Sequence, residues 1–391
     1  MANKKLSDAK IAKNDEFYTQ LSDIQKEVNA YLEYNPNVFR DKTILLPCDD
    51  PEWSNFTRFF AQNFERFGIK KLISTSYAME SKSFQYPYQL SLFESEAPHF
   101  DSKKTRKHGK IFTLTRDKNK SGNIDINDLE WKYLKGDGDF RSKEVCALRD
   151  EADIIITNPP FSLYRDFVAW LFEKEKKFLI IGNKNSVTYK EIFPLIKENK
   201  MWSGRTEWSG GLWFESKNPA NVDKVINGVN MKNISSTWFT NLEHGRRHQP
   251  LSLMTMADNI KFSKHKDIRE HGYPRYDNYN AIEIPYTDAI PCDYDGVMGV
   301  PITFLEKYNP EQFIILGATQ RGCHDDVPDI KRYDDYWEVK PNGEKTGSSG
   351  SKTNENANLV QNDGKHNYFT NADGVTIQSA YQRIFIKFKR S

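Results

Sequence analysis

The chain has 391 residues, 38% of them hydrophobic and 13% aromatic, with a formal net charge of +2. Such a composition describes a globular protein with a sizeable core, one large domain or two modest ones, and excludes an intrinsically disordered chain. The near-balanced charge excludes a global electrostatic pull toward nucleic acid, so any such contact must use local patches.

Cys48, Cys146, Cys292 and Cys323 lie far apart and form no CxxC pair. Neither a zinc site nor a disulfide framework is expected from them, and a reducing cytoplasm is the simplest compartment. The first residues, MANKKLSDAKIAKND, are polar and basic without the apolar centre of a signal peptide. No apolar run approaches the roughly 20 residues needed to span a bilayer, so no membrane contact is expected.

In chain order, TILLP (43–47) has the pattern of a buried strand. SNFTRFFAQNFERFG (54–68) has helical spacing, starts at a Ser cap and stops at Gly68. KKLIST (70–75) and ADIIIT (152–157) are further strands, and SLYRDFVAWLFEKE (162–175) places Leu163, Phe167, Trp170 and Leu171 on one helical face. KFLIIGN (177–183) predicts a strand and SVTYKEIFPLIKENK (186–200) a helix. Apolar strands alternating with helices argue for an α/β fold, with a mainly parallel sheet covered by helices on both faces. Beyond about residue 200, Trp202, Trp208, Trp213 and Trp238 sit among Gly, Ser and Asn, a texture of hairpins. Residues 341–374 are rich in Asn, Gly, Ser and Lys and are expected to form a long loop or a flexible insert. YQRIFIKFKR closes the chain as an alternating strand.

The stretch DIIITNPPFSLYRDF (153–167) carries the clearest chemistry. It leaves a buried strand at its carboxyl end, where open α/β sheets bind ligands. Exocyclic amines of nucleobases are poor nucleophiles because the lone pair is delocalised into the ring. The side-chain oxygen of Asn158 and the carbonyl of Pro159 can each accept a hydrogen bond from such an amine and localise its lone pair. Pro160 biases Pro159 away from helical angles, and the two rings stiffen the loop. Pre-set acceptors need no reorganisation as positive charge develops on nitrogen. Phe161 offers a ring for stacking. The bland alternative is a strand-to-helix turn with proline at the helix start.

Asn158, Pro159, Pro160 and Phe161 match the catalytic motif of amino-group DNA methyltransferases that use S-adenosylmethionine (AdoMet). NDEFYTQ (14–20), CDDPEWSNF (48–56), GDGDFRS (136–142), GVMGVPITFL (296–305) and YQRIFIK (381–387) extend the likeness over most of the chain, which resembles the EcoRI-type adenine-N6 DNA methyltransferases. The resemblance implies a class I, Rossmann-like core over 1–240 and an irregular DNA target-recognition and closing region over 241–391. It implies that AdoMet is contacted by Tyr18 and Thr19, by Asp49 and Asp50, by Asp139 and Phe140, and by Asn158. Asp139 would accept from the adenine amine of AdoMet and Phe140 would pack on its ring. The rival roles are a helix cap for one of Asp49 and Asp50, a cap at Thr19 with Tyr18 in the core, and a surface turn for GDGDFRS. The D-x-G-x-G turn of most class I methyltransferases is absent, a departure that the EcoRI-type subfamily shares: TILLP runs into CDDPEWSNF without glycine.

The implied reaction moves a methyl group from AdoMet to N6 of an adenine flipped out of double-stranded DNA. The enzyme would be the modification half of a restriction-modification pair, acting as a monomer on the site of a cognate endonuclease without binding that endonuclease. Cytosine-N4 methylation, or a catalytically inactive DNA-binding relative, are the alternatives. No metal is expected. DKNKSGNIDIND (117–128) imitates a calcium loop, but Asp128 replaces the closing Glu and the flanks have strand pattern, so a hairpin turn is preferred. For phosphates, the candidates are Lys103, Lys104, Arg106, Lys107 and Lys110, followed by Arg116, Lys118 and Lys120; Arg246, Arg247, His248, Lys261, Lys264 and Lys266 lie in the recognition half.

Overall fold

Short aliphatic runs build the sheet that organises the first part of the chain. The computed structural model describes residues 18–49, 54–78, 100–122, 124–216, 222–320, 322–323, 326–327 and 330–389. The chain divides into two units, Met1–Lys184 with Trp202–Gly245, and Asn185–Met201 with Arg246–Ser391.

The first unit contains β1 (Tyr18–Thr19), β2 (Thr43–Leu46), β3 (Lys71–Ser76), β4 (Lys110–Leu114), β5 (Glu130–Tyr133), β6 (Ile154–Thr157), β7 (Lys177–Asn183), β8 (Trp202–Ser203), β9 (Leu212–Glu215), β10 (Lys224–Ile226), β11 (Val229–Ile234) and β12 (Ser236–Thr240). Eight of these form one sheet in the order β5-β4-β3-β2-β6-β7-β12-β8. The four central strands β3, β2, β6 and β7 run parallel. The flanking strands are antiparallel. The mainly parallel sheet expected from the sequence is therefore parallel only at its centre. Hairpin-like connections such as that between β4 and β5 can produce only antiparallel neighbours, whereas parallel ones need a crossover.

Every residue of β2 and of β6 is buried, as a sheet covered on both faces requires. The chain steps from β2 to β3 on one side and later returns to lay β6 on the other side. This reversal is the topological switch point, and the crevice outside the carboxyl ends of β2 and β6 is where such sheets hold ligands.

The helix Asn55–Gln62 begins as predicted: Ser54 Oγ accepts from the backbone N–H of Phe56 at 3.1 Å. The following turn, Phe64–Phe67, stops at Gly68, whose φ of 64° is left-handed. Phe56, Phe59, Phe60, Phe64 and Phe67 all enter the main core. Each contributes roughly 1.5–3 kcal/mol by leaving water. The helix expected over 186–200 shrinks to Phe193–Lys197. Pro194 sits in its first turn, where its missing N–H does no harm, so the helix starts there instead of running through. Among the described residues, no helix is long and apolar enough to cross a membrane.

Glu27, on the helix Leu21–Tyr34, is fully buried. Its carboxylate accepts from the Tyr31 hydroxyl (2.9 Å), from the N–H groups of Arg205 (2.6 Å) and Thr206 (2.8 Å), and from the Thr206 hydroxyl (2.6 Å). A Cβ on Gly204 would stand 2.2 Å from Glu27 Oε1, so glycine there makes room for the carboxylate. Glu27→Ala leaves these donors without their acceptor. It is expected to cost about 3 kcal/mol, read as a lower urea midpoint, with Glu27→Gln costing less because it keeps one acceptor oxygen.

The second unit contains β13 (Ala281–Glu283), β14 (Val297–Pro301), β15 (Phe313–Ala318), β16 (Trp337–Val339), β17 (Lys345–Ser349), β18 (Asn358–Leu359), β19 (Tyr368–Thr370), β20 (Thr376–Ser379) and β21 (Arg383–Phe388). One sheet has the order β13-β14-β21-β15 and another β17-β16-β19-β20-β18. Residues 341–374, expected as a loop or flexible insert, instead supply β17, β18 and β19 to the second sheet. The polar residues that resembled a linker act as internal hydrogen-bonding groups. Thr353 and Asn358 are fully buried, with Thr353 Oγ1 donating to Asn358 Oδ1 at 2.7 Å. Asn358 Nδ2 donates to the Thr353 carbonyl at 3.0 Å, and Asn354 Oδ1 accepts from Tyr333 N at 2.7 Å. Burial would raise the Glu338 carboxyl, but hydrogen bonds from Lys352, Thr346 and Asn367 outweigh it and bring its pKa down to about 2.

Candidate active site

The turn after β2 forms one wall. Cys48 takes a left-handed φ of 68°, the conformation that glycine supplies in a Gly-rich turn. The bend is thus made without glycine. Asp49 follows and is 6% exposed. Its Oδ1 accepts from Ser54 Oγ at 2.7 Å and its Oδ2 from Thr157 Oγ1 at 2.6 Å. The Thr157 hydroxyl also lies 2.6 Å from the Pro47 carbonyl. The helix cap is Ser54, and Asp49 braces that cap while tying the turn to the last residue of β6. Asp50 lies outside the described residues.

Asn158 leaves β6 directly after this Thr157 lock. It is half-buried, with its side-chain oxygen shielded from solvent. Pro159 is buried, and Pro160, at φ −53° and ψ 123°, presents its carbonyl to the N–H of Leu163 at 2.9 Å. That bond opens a single turn, Phe161–Leu163, before the helix Tyr164–Phe172. The half-buried Phe161 ring meets Phe214 edge to face, with centroids 6.3 Å apart.

Phe214 connects the loop to the N-terminal segment. Thr19 of β1 pairs with Phe214 of β9, and Tyr18 with Glu215. The Thr19 carbonyl accepts from Asn55 Nδ2 at 2.8 Å, which places β1 beside the start of the helix after Asp49. Thr19 is 4% exposed, and among the described residues its hydroxyl has no hydrogen-bond partner. A buried hydroxyl with unmet bonding capacity fits a polar ligand group at that wall.

GDGDFRS docks at the carboxyl end of β3. Ala78 N donates to the Asp137 carbonyl at 2.7 Å. Gly138 has φ 89°, and a Cβ there would lie 2.3 Å from the Ser76 carbonyl oxygen, so only glycine fits. Asp139 accepts from Arg141 N (2.8 Å), Nε (2.9 Å) and Nη2 (2.7 Å). The Phe140 ring is fully buried, edge-on to Phe167 (5.1 Å) and Trp170 (5.6 Å). Phe140 therefore anchors the segment in the core; its ring presents no open face for stacking, contrary to what the resemblance implied. Its position after a Gly-Asp-Gly-Asp turn could not reveal this, because the covering aromatics come from the helix after the Asn158 loop. Tyr77 was not singled out from sequence. Burial, with the neighbouring Cys48 and Asp139, pushes its hydroxyl well above the ordinary range, and it stands between the β2 turn and the GDGDF turn. The signal available was its place one residue beyond a parallel strand.

Tyr18, Thr19, Asp49, Asn158–Phe161 and Asp139 thus all gather around the carboxyl ends of β2, β3 and β6. The basic candidates divide. Lys103, Lys104, Arg106, Lys107, Arg116, Lys118 and Lys120 are exposed. Lys110 is 3% exposed with its ammonium 5.3 Å from the Trp131 ring centroid, so it belongs to the core. In the second unit Arg247 is 5% exposed and donates to Asn199, while Arg246 pairs with Glu306 and His248 with Glu311. Lys264 pairs with Asp288 and Lys266 with Glu270; the Lys261 ammonium lies 4.9 Å from the Phe262 ring centroid. The calcium-like segment joins β4 to β5. Asp128 there accepts from the N–H groups of Lys118 (2.9 Å), Asn119 (3.0 Å) and Asp125 (3.0 Å). Burial alone would raise its carboxyl, but these bonds hold it below the usual range.

A family model described as adenine-specific methyltransferase EcoRI matches residues 5–389. The chain belongs to the EcoRI-type adenine-specific methyltransferases. It is similar to type II methyltransferase M.EcoRI of Escherichia coli, 40% identical over 325 residues that cover 80% of this chain and 89% of that one. It is also similar to M.MpnI of Mycoplasma pneumoniae, 36% identical over 83% of this chain and 93% of the relative. M.MgeORF184P of Mycoplasma genitalium is 35% identical over 79% and 84%. No solved structure matches the chain significantly. As an EcoRI-type enzyme this is an adenine-specific DNA methyltransferase of the restriction-modification class. The Asn158–Phe161 loop leaves the carboxyl end of β6 at the switch point of the sheet.

Proposed function

We propose that this EcoRI-type enzyme holds AdoMet on a class I, Rossmann-like sheet and methylates N6 of an adenine flipped out of duplex DNA. The observation that carries this reading is the Thr157 lock, which ties the Asn158 loop to the β2 turn at the switch point. Bound AdoMet supplies an electrophilic methyl group. Asn158 Oδ1 and the Pro159 carbonyl accept the two N–H bonds of the target amine and turn its lone pair outward. Because Thr157, Pro159 and Pro160 hold these acceptors in place, little is reorganised on the way to the transition state. Phe161, backed by Phe214, gives the base a ring to rest on. Once methylated, the amine is acidic and its proton leaves to water, so no general base is assigned.

For the cofactor, Thr19 would meet the methionine end with its open hydroxyl and Tyr18 would close over it. Asp49 and Asp50 would hold the ammonium group of that end. Asp139 would receive the cofactor's adenine amine, with Phe140 holding the turn from the core side. Asn158 would touch both substrates. A flipped base is needed because the N6 amine is otherwise paired inside the stack. The recognition contacts are assigned to 241–391. In the cell the enzyme would act as a monomer in the cytoplasm, protecting the site of a cognate endonuclease that it does not bind. Single-molecule sequencing of host DNA with and without the protein is expected to show N6-methyladenine at one recognition sequence. N4-methylcytosine, or no modification, would overturn the proposal.

A further inference from the structure

A second small sheet in the first unit has the order β1-β9-β11-β10 and ends in an open hairpin. Asn227 (φ 50°) and Gly228 (φ 79°) join β10 to β11, both left-handed, as in a two-residue type I′ turn. Around this turn Val225, Ile226 and Val229 are 61%, 37% and 39% exposed. Exposed edge strands are normally guarded by charge, proline or a bulge, and an apolar hairpin tip in water calls for a partner.

The other end of this hairpin reaches the active site. Lys232 of β11 pairs with Phe214 of β9, whose ring backs Phe161 of the catalytic loop. From Lys232 to the turn is a run of about 15 Å at strand rise. The tip therefore projects from the base-stacking wall on a rigid arm. Lys224 braces that arm, with its ammonium 3.8 Å from the Trp213 ring centroid, and Lys232 pairs with Asp223. The exposed Lys224 leaves a positive group just behind the apolar tip, where a phosphate backbone would pass.

We propose that the Val225–Val229 tip is a wedge that enters duplex DNA beside the target adenine and fills the gap left by the flipped base. The inference rests on the base-flipping reading above. Proteins that distort duplexes insert aliphatic side chains between base steps, and unstacking is the cost that such a wedge offsets. A second copy of the chain is a poorer occupant. Three partly exposed aliphatic side chains offer far less than the ~800 Å² per partner of a stable interface.

The test replaces Val225, Ile226 and Val229 together with serine, leaving the Asn227–Gly228 turn intact. Methyl transfer is measured on two duplexes carrying the recognition sequence, one fully paired and one with an abasic position opposite the target adenine. The variant is expected to lose about 10- to 100-fold in kcat/KM on the paired duplex and to come within about threefold of the parent on the abasic one. AdoMet affinity by calorimetry stays unchanged. Equal activity on the paired duplex overturns the wedge, and so does an equal loss on both duplexes, which indicates damage elsewhere. A change of oligomeric state in sedimentation also overturns it, in favour of self-association. If the parent methylates adenine on neither duplex, the base-flipping reading itself fails and this inference with it, an outcome distinct from a defect confined to the variant.

Discussion

Asn158→Ala is expected to lower the rate of methyl transfer by about 10²- to 10³-fold while leaving AdoMet affinity within about threefold. The magnitude follows from what one preorganised polar group aimed at developing charge contributes to a barrier. Alanine removes the acceptor but not the loop that presents it. Pro159 and Pro160 still restrict the backbone, Thr157 still bonds to Asp49, and Phe161 still rests on Phe214. Incorporation of labelled methyl groups reports the rate, calorimetry the affinity, and thermal unfolding the fold. Asn158→Asp keeps an acceptor oxygen and is expected to retain more activity than alanine. Should activity, cofactor binding and stability all fall together, the loop is a structural turn and the catalytic assignment is lost.

Glu283→Ala is expected to destabilise the second unit by about 3–5 kcal/mol, the largest stability loss proposed for a single residue in this chain. Glu283 is 5% exposed and Arg383 7%. Arg383 Nε donates to Glu283 Oε2 at 2.9 Å and to Oε1 at 3.1 Å, Nη2 donates to Oε1, and the Tyr276 hydroxyl donates to Oε2. The pair joins β13 to β21 across 100 residues of sequence. Removing the carboxylate leaves a buried guanidinium without its counter-charge, with the Tyr381 and Gln382 carbonyls still accepting from Nη1. The double change Glu283→Leu with Arg383→Met removes both charges and is expected to cost far less than either single change, because apolar groups of similar volume need no partner. Urea unfolding of the three variants decides the matter. A loss below about 1 kcal/mol for Glu283→Ala would mean that water reaches the site and solvates Arg383.

The local grammar of the first unit was legible because it depends on neighbours in sequence. Ser54 capping its helix, Gly68 ending the next turn, and the strand Lys177–Asn183 all follow from spacing and side-chain chemistry alone. The Asn158 loop was legible for the same reason: an Asn-Pro-Pro-Phe sequence between a buried strand and a helix carries its constraints with it. Lys110 was misplaced with the surface lysines because its neighbours in sequence are basic, whereas its neighbours in space include Trp131. The Asn- and Ser-rich stretch 341–374 looked like a linker because polar residues usually seek water. Here Thr353 and Asn358 bond to each other, and Asn354 accepts from the Tyr333 N–H.

Residue order alone sets the chemistry on offer: a strand that runs into an Asn-Pro-Pro-Phe loop, within a chain of EcoRI-type likeness. Tertiary structure decided what each group is available for. Asp49 bonds through its oxygens to Ser54 and Thr157, Phe140 turns inward to Phe167, and among the described residues the Thr19 hydroxyl has no hydrogen-bond partner. Thr157 is far along the chain from Asp49 and is brought to it only when β6 returns to lie beside β2. Covalent neighbours set a side chain's identity and conformation, but burial and hydrogen-bond saturation are set by whatever folds against it.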